Sequence, residues 1–380
     1  MSLYLNIEKR LGDFQLRVNL ETGDDILALL GGSGCGKSLT LKCIAGIENP
    51  DKGRIIVDGN VFFDSKKKIN LSPQKRRAGL IFQNYALFPN MTVEANILCA
   101  TRRDSSSATK QQRSAKVKEI MESFGISQLA RHYPSQLSGG QQQRAALART
   151  LVSSPDILLL DEPFSALDSH LRFHMEKELR DIMRRFGKTV VLVSHDRDEV
   201  FRLCDKIAVM DDGEVDVYGS KEAVFDDPKT LSGAILTGCK NISPIHKLDE
   251  HHALAKNWGL TLQTSREVGD AEYIGIRMHD VRYAGASDTN KINNKSTSDG
   301  INRIGYKNDC LIDETDGFSK NIFSMEVSEV VENPFSYTVM LRGKYKDIGW
   351  ETEKPFGKTL RPSETVRIQL PPDAILLLKK

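Results

Sequence analysis

The sequence predicts an α/β domain with a buried parallel sheet and a phosphate-binding loop, followed by a small all-β domain. Three observations carry this. Ile26-Leu27-Ala28-Leu29-Leu30 is a continuous apolar run that feeds Gly31-Gly32-Ser33-Gly34-Cys35-Gly36-Lys37-Ser38, which fits G-x-x-x-x-G-K-[ST] without a mismatch. Two later apolar runs, Ile157-Leu158-Leu159-Leu160 and Thr189-Val190-Val191-Leu192-Val193, also end in polar residues, as strands buried on both faces of a parallel sheet do. From about residue 236 short alternating segments take over.

The chain has 380 residues, enough for two or three domains. Its formal net charge of +2 creates no strong field toward nucleic acid or an anionic membrane. Met1-Ser2-Leu3-Tyr4-Leu5 reads as the start of a strand without a basic region before an apolar core, so no secretion signal is expected. No apolar run approaches the ~20 residues needed to cross a bilayer. The six cysteines form no C-x-x-C pair, which argues against structural zinc and for free thiols in a reducing compartment.

Along the chain, the glycines of the loop allow positive φ and close approach of backbone N–H groups to a phosphate. Lys37 would reach the β- and γ-phosphates, the Ser38 hydroxyl would ligate Mg²⁺, and a helix from about Leu39 would aim its positive end at the same anion. Gln83, after the short apolar run Ile81-Phe82, would offer a carbonyl to Mg²⁺ or to a water. Leu137-Ser138-Gly139-Gly140-Gln141 precedes a helical segment from Gln142 to Leu151 and reads either as a second anion site or as a plain N-cap with a glycine hinge. Asp161, ending a strand, suits Mg²⁺, and Glu162 beside it suits polarising a water. His195 would contact a γ-phosphate or orient that water. In open α/β sheets ligands bind at the C-terminal edge of the strands, so these residues can converge. Ile207 to Val215 reads as a hairpin closing the domain.

Together these segments resemble the ATP-binding subunit of ABC transporters, with Leu137 to Gln141 as the family signature and Ser165-Ala166-Leu167-Asp168 following the Asp161-Glu162 pair. The resemblance covers roughly residues 1 to 235. It implies a P-loop NTPase domain of the ABC type with a helical subdomain over about 84–155, of which the residues from about Asn84 to Tyr133 lie between Gln83 and the signature. It also implies ATP and Mg²⁺, with Gly31 to Leu39 and Ser138 to Gln141 binding nucleotide and Ser38, Gln83 and Asp161 serving the metal. Glu162 is the expected general base, with His195 and Gln83 assisting. Two such domains pair head to tail, so Ser138 and Gly140 of one copy would touch the γ-phosphate held by Lys37 and Ser38 of the other, and Asp168 would support the contact. One set of motifs means two chains. A homodimer is simplest, and a heterodimer is the alternative.

The further partners implied are integral-membrane permease subunits, an external solute-binding protein indirectly, and no nucleic acid. The place implied is the cytoplasmic face of the membrane, held peripherally. Tyr85-Ala86-Leu87-Phe88-Pro89 and Met91 would supply a groove for the permease, or ordinary core. Family members stack adenine on an aromatic residue where Leu11 stands here, leaving Phe14 or Tyr4 as substitutes, and Leu39 stands where a hydroxyl is frequent.

Residues 236–380 are expected to form a linker and a small OB-like β-barrel, with strands at Tyr273-Ile274-Gly275-Ile276-Arg277, Ser324 to Val327, Tyr337 to Leu341 and Val366 to Leu370, and a mobile loop from Ala284 to Asn308. This layout is similar to the accessory barrel of importer ATPases. Lys75 to Gln83 and Thr237-Gly238-Cys239-Lys240-Asn241 look most like the molybdate and sulfate group, although its Ser-Ala-Arg-Asn element is absent. The expected function is therefore ATP-driven import of molybdate or a related oxyanion. The alternatives are import of sulfate, iron, polyamine or sugar, and, in another class, a soluble ABC ATPase of DNA repair or translation.

Overall fold

The computed structural model describes residues 2–101, 109–165, 169–286 and 321–380. Asp168, Ala166, Leu167 and Cys310 lie outside the described residues, as does most of the expected loop from Ala284 to Asn308. Contacts divide the chain into two compact units, Met1–Asp226 and Asp227–Lys380.

The first unit runs β1 (Leu3–Leu11), β2 (Phe14–Thr22), β3 (Ile26–Gly31), α1 (Lys37–Ala45), β4 (Lys52–Val57), β5 (Asn60–Asp64), β6 (Ile69–Asn70) and β7 (Ala78–Ile81). Three helices follow: α2 (Val93–Ala100), α3 (Lys110–Ser123) and α4 (Gly139–Leu151). The unit closes with β8 (Ile157–Asp161), α5 (Ser169–Phe186), β9 (Val190–Ser194), α6 (Arg197–Leu203), β10 (Lys206–Asp211), β11 (Glu214–Ser220) and α7 (Lys221–Asp226).

One eleven-stranded sheet orders these strands β6-β5-β4-β1-β2-β11-β10-β3-β9-β8-β7. The half from β10 to β7 is parallel. Its strands β3 and β9 are buried at every position, which is why they read as unbroken apolar runs. The β1–β2 and β1–β4 pairs are antiparallel, and β2 alternates buried with exposed residues because only one face meets the core. The expected hairpin is β10–β11, turning at Asp212 (φ +41°) and Gly213 (φ +85°), the two left-handed residues of a primed turn.

The helices α2 to α4 build the subdomain around their own core of Val93, Ile97, Val117, Met121 and Ala148. Tyr85 is buried, while Phe88 and Met91 are 49% and 40% exposed, so the apolar stretch after Gln83 divides between core and surface. No helix among the described residues is long and apolar enough to cross a membrane.

A buried cation braces the helix behind the phosphate loop. Arg76 is fully buried and donates to the carbonyls of Cys43 (2.6 Å), Ile44 (3.0 Å) and Leu71 (2.8 Å) and to Asn70 Oδ1 (2.9 Å). Two of these acceptors are carbonyls in the last turn of α1, where a cation also meets the negative end of the helix dipole.

The second unit carries α8 (Leu231–Leu236), β12 (Asn241–Lys247), β13 (His252–Ala255), β14 (Leu260–Gln263), β15 (Tyr273–Ile276), β16 (Arg282–Ala286), β17 (Ile322–Glu332), β18 (Ser336–Leu341), β19 (Ile348–Glu353), β20 (Thr365–Gln369) and β21 (Leu376–Leu378). It is all-β apart from short helices, as expected. Two five-stranded antiparallel sheets, β14-β13-β12-β15-β21 and β16-β20-β17-β18-β19, share one apolar core with Ile274 and Trp258 from one side and Val327 and Trp350 from the other. Asn241 joins them: its amide donates to the Gly349 carbonyl and accepts from the Gly349 N–H, both at 2.7 Å. The expected loop at Ala284 begins too early. Ala284 to Ala286 complete β16, with Gly285 and Ala286 paired to Arg367 and Val366 of β20 after a bulge at Ala284.

Candidate functional site

The parallel half of the sheet sets the site. Reading across β3, β9, β8 and β7, the C-terminal strand ends deliver the phosphate loop, His195, Asp161 with Glu162, and, two residues beyond Ile81, Gln83. Four segments spread over more than a hundred residues of sequence therefore meet at one sheet edge.

The loop geometry follows from its glycines. A Cβ at Gly31 would stand 2.5 Å from the Met210 carbonyl oxygen and 2.6 Å from Cys35 Sγ. Gly36, the residue before α1, has φ +101° and lies against Leu16 and Phe14. Cys35 is buried, and its sulfur lies 3.7 Å from the Lys37 ammonium. Leu39 packs its side chain on the core. Gly32, Ser33 and Gly34 are exposed.

Lys37 is buried, and its ammonium donates to the carbonyls of Gly31 (2.8 Å) and Gly32 (2.7 Å). The Ser38 hydroxyl donates to Asp161 Oδ1 at 2.8 Å, joining the loop to β8. Burial pushes the Asp161 carboxyl above its usual range, opposed by the Ser38 hydrogen bond and reinforced by the nearby Glu162. Ser38, Asp161 and Gln83 offer hydroxyl, carboxylate and amide oxygens, a hard donor set that fits Mg²⁺.

Glu162 occupies the left-handed region at φ +45°, a conformation costing a non-glycine residue on the order of 1 kcal/mol. The turn is held by Glu162 N–H donating to the Val193 carbonyl (3.1 Å) and by the Ser165 N–H and hydroxyl donating to the Glu162 carbonyl (3.2 and 3.0 Å). Its carboxylate Oε1 lies 3.2 Å from His195 Nδ1. Glu162 and His195 thus face each other across adjacent strand ends.

Ser138 caps α4 in a capping box: its hydroxyl accepts from the Gln141 N–H (3.4 Å) while Gln141 Oε1 accepts from the Ser138 N–H (3.0 Å). The N-cap reading is thus realised in the fold, and it leaves Ser138 exposed, with Gly139 half-buried and Gly140 buried.

Leu11 ends β1 and is 48% exposed. Phe14 packs on the core and against Gly36. Tyr4 pairs with Glu21 near the far end of β1, seven residues from Leu11 and roughly 23 Å away at strand spacing.

Residues the motifs do not mark support the site from behind. Asp196 caps α6 by accepting from the Asp198 and Glu199 N–H groups (2.9 and 3.1 Å), and Arg172 lies 3.3 Å from its other oxygen. Glu199 is buried, and its Oε1 has no hydrogen-bond partner among the described residues. Burial first, then the Asp196 and Glu176 charges, raise its pKa from the ordinary 4.5 to about 8, against the pull of Ser194 and Arg172. The folded chain therefore keeps a proton that the unfolded chain loses above 4.5. Stability from this group is complete below that pH and is lost as pH rises through about 8. Glu199→Gln is expected to melt several degrees higher than the parent at pH 8. The two should converge near pH 4.5 in thermal melts, and parallel pH profiles would contradict the assignment.

The family described as ABC transporter matches residues 15–165. The chain is 35% identical to a Bacillus cereus spermidine/putrescine import ATP-binding protein over 297 residues, 77% of this chain and 87% of the relative. It is 38% identical to a Chromobacterium violaceum sulfate/thiosulfate import ATP-binding protein, covering 74% of this chain and 76% of that one. Identity is 40% to a Paramagnetospirillum magneticum molybdenum import ATP-binding protein, over 62% and 64%. A solved dimeric ATP-binding cassette bound to ADP and Pi aligns with a TM-score of 0.49 and 30% identity, covering 58% of this chain and 99% of its own. With relatives matched over most of their length, the chain belongs to the ABC transporter family, as an ATP-hydrolysing import ATP-binding subunit.

Proposed function

We propose that two copies of this chain close head to tail around two ATP molecules and drive solute import through membrane permease subunits, from a peripheral place at the cytoplasmic face. Residues 1–235 are read as the ATPase domain and 236–380 as the accessory domain, with α8, grouped by its contacts in the second unit, at their junction. The observation that carries the mechanism is the single sheet edge holding Lys37, Ser38, Asp161, Glu162, His195 and Gln83.

On this reading the loop N–H groups and Lys37 hold the ATP phosphates, and Glu162 accepts the proton of the attacking water. His195, within reach of Glu162, orients that water or contacts the γ-phosphate. Gln83, Asp161 and Ser38 would hold Mg²⁺, which supplies charge neutralisation on the phosphate oxygens. Ser138, Gly139, Gly140 and Gln141 at the exposed N-terminus of α4 complete the partner copy's site.

For the cargo, molybdate or a related oxyanion is the first reading, supported by the molybdenum and sulfate/thiosulfate relatives. Polyamine is the second, supported by the spermidine/putrescine relative matched over 77% of this chain. Copurification with the permease, followed by uptake of molybdate, tungstate, sulfate and spermidine in vesicles, tests this. Oxyanion uptake that needs ATP is expected. Spermidine uptake alone would overturn the oxyanion reading.

A further inference from the structure

The turn after Gln83 holds two consecutive non-glycine residues in the left-handed region, Tyr85 at φ +57° and Ala86 at φ +44°. Its own backbone closes it with Tyr85 N–H donating to the Phe82 carbonyl (2.8 Å) and Ala86 N–H to the Asn84 carbonyl (2.7 Å). L-residues rarely populate this region, so a paired occurrence persists only where surrounding contacts hold it.

Arg149, near the C-terminal end of α4, supplies those contacts. One guanidinium nitrogen donates to the Ala86 carbonyl (2.7 Å), the other to the Tyr85 carbonyl (3.1 Å), and the group sits 5.5 Å from the centre of the Phe88 ring. The planar fork therefore commits a separate nitrogen to each strained residue, a pairing that a single lysine nitrogen does not reproduce. Tyr85 reaches the other way: its side chain is buried, and its hydroxyl donates to the carbonyl of Pro163, the residue after Glu162, at 3.2 Å. One turn thus joins the helix that begins at Ser138, the segment that carries Gln83 and the segment that carries Glu162.

We infer that Arg149 is a positioning residue: it holds the Tyr85–Ala86 turn in its left-handed form, and through that turn it sets the placement of Gln83 and of the Glu162–Pro163 backbone. This rests on the proposed roles of Gln83 and Glu162. The latch also makes the Gln83 segment follow α4. A shift of the helix withdraws the guanidinium and lets the turn relax.

The test is steady-state ATPase of the full chain. Arg149→Lys is expected to lower kcat by about tenfold with KM for ATP within about twofold, because placement and not substrate binding is lost. Adding Ala86→Gly should then recover about threefold or more of kcat, since glycine adopts positive φ without a steric penalty. Tyr85→Phe keeps the ring, loses the Pro163 contact and should lower kcat on its own, with a smaller further effect in the Arg149→Lys background. Parental kcat in Arg149→Lys overturns the latch, and so does a drop that Ala86→Gly leaves unrecovered, since a merely structural arginine would show that. If Arg149→Lys does not fold, Tyr85→Phe decides, and parental kcat there overturns the inference. Parental turnover in Glu162→Gln would sink the assigned role of Glu162 instead, a separate outcome.

Discussion

Glu162→Gln protein is expected to bind ATP as the parent does and to turn it over about 10²–10⁴-fold more slowly, the range a lost general base costs. The substitution keeps the shape of the side chain and removes only its capacity to take a proton. The backbone that aims the residue is independent of that change. Glu162 sits at φ +45°, pinned by the Val193 carbonyl and by Ser165. An amide at the same place can still lie near His195, 3.2 Å from the present carboxylate oxygen. Calorimetric ATP binding and phosphate release at saturating Mg-ATP separate the two quantities. With hydrolysis blocked, light scattering should show the variant as a dimer in ATP. A monomer there would count against the sandwich, and parental phosphate release would remove Glu162 from the base role.

The second large effect is expected at Lys37. Lys37→Ala removes the one cation of the loop, and charged hydrogen bonds contribute about 1.5–3 kcal/mol each, so ATP affinity should fall by about 10- to 100-fold. The same change withdraws the donor now shared by the Gly31 and Gly32 carbonyls. The nucleotide-free variant should therefore also melt below the parent, a loss that a surface lysine would not produce. Titration calorimetry reads the first effect and differential scanning calorimetry the second. Parental ATP affinity would show that the phosphates are held elsewhere.

The contrast between these residues and Arg149 shows where sequence reasoning reaches. Asp161, Glu162 and His195 announce themselves because each closely follows an unbroken apolar run, and Lys37 and Ser38 because they close the glycine-rich loop that such a run feeds; run, loop and polar residue are all local. The signature helix is legible for the same reason, since Ser138 and Gln141 form their capping box within four residues. Gln83 carries a weaker local mark, only the short apolar run Ile81-Phe82 before it. The parallel pairing of β7 with β8, which ends at Ile81 opposite Leu160, brings its segment to the same sheet edge as Asp161.

Arg149 and Arg76 are silent in the sequence because their distant hydrogen-bond partners are backbone carbonyls. The Tyr85 and Ala86 carbonyls lie 64 and 63 residues from Arg149, and those of Cys43 and Ile44 lie 33 and 32 from Arg76. A carbonyl belongs to every residue, so no residue type at the receiving end signals the pairing. The same holds for Asn241, whose amide finds Gly349 across 108 residues. The bulge that carries Ala284 to Ala286 into β16 was likewise hidden behind a polar composition.

Periodicity and motif chemistry thus mark the candidate residues, because those properties are carried by neighbours along the chain. Which of them meet, and what holds them at working distance, was decided by strand order and by side chains that find main-chain partners far away. Long-range pairing is selected by burial of the whole sheet and its helices, a property no short stretch of sequence contains.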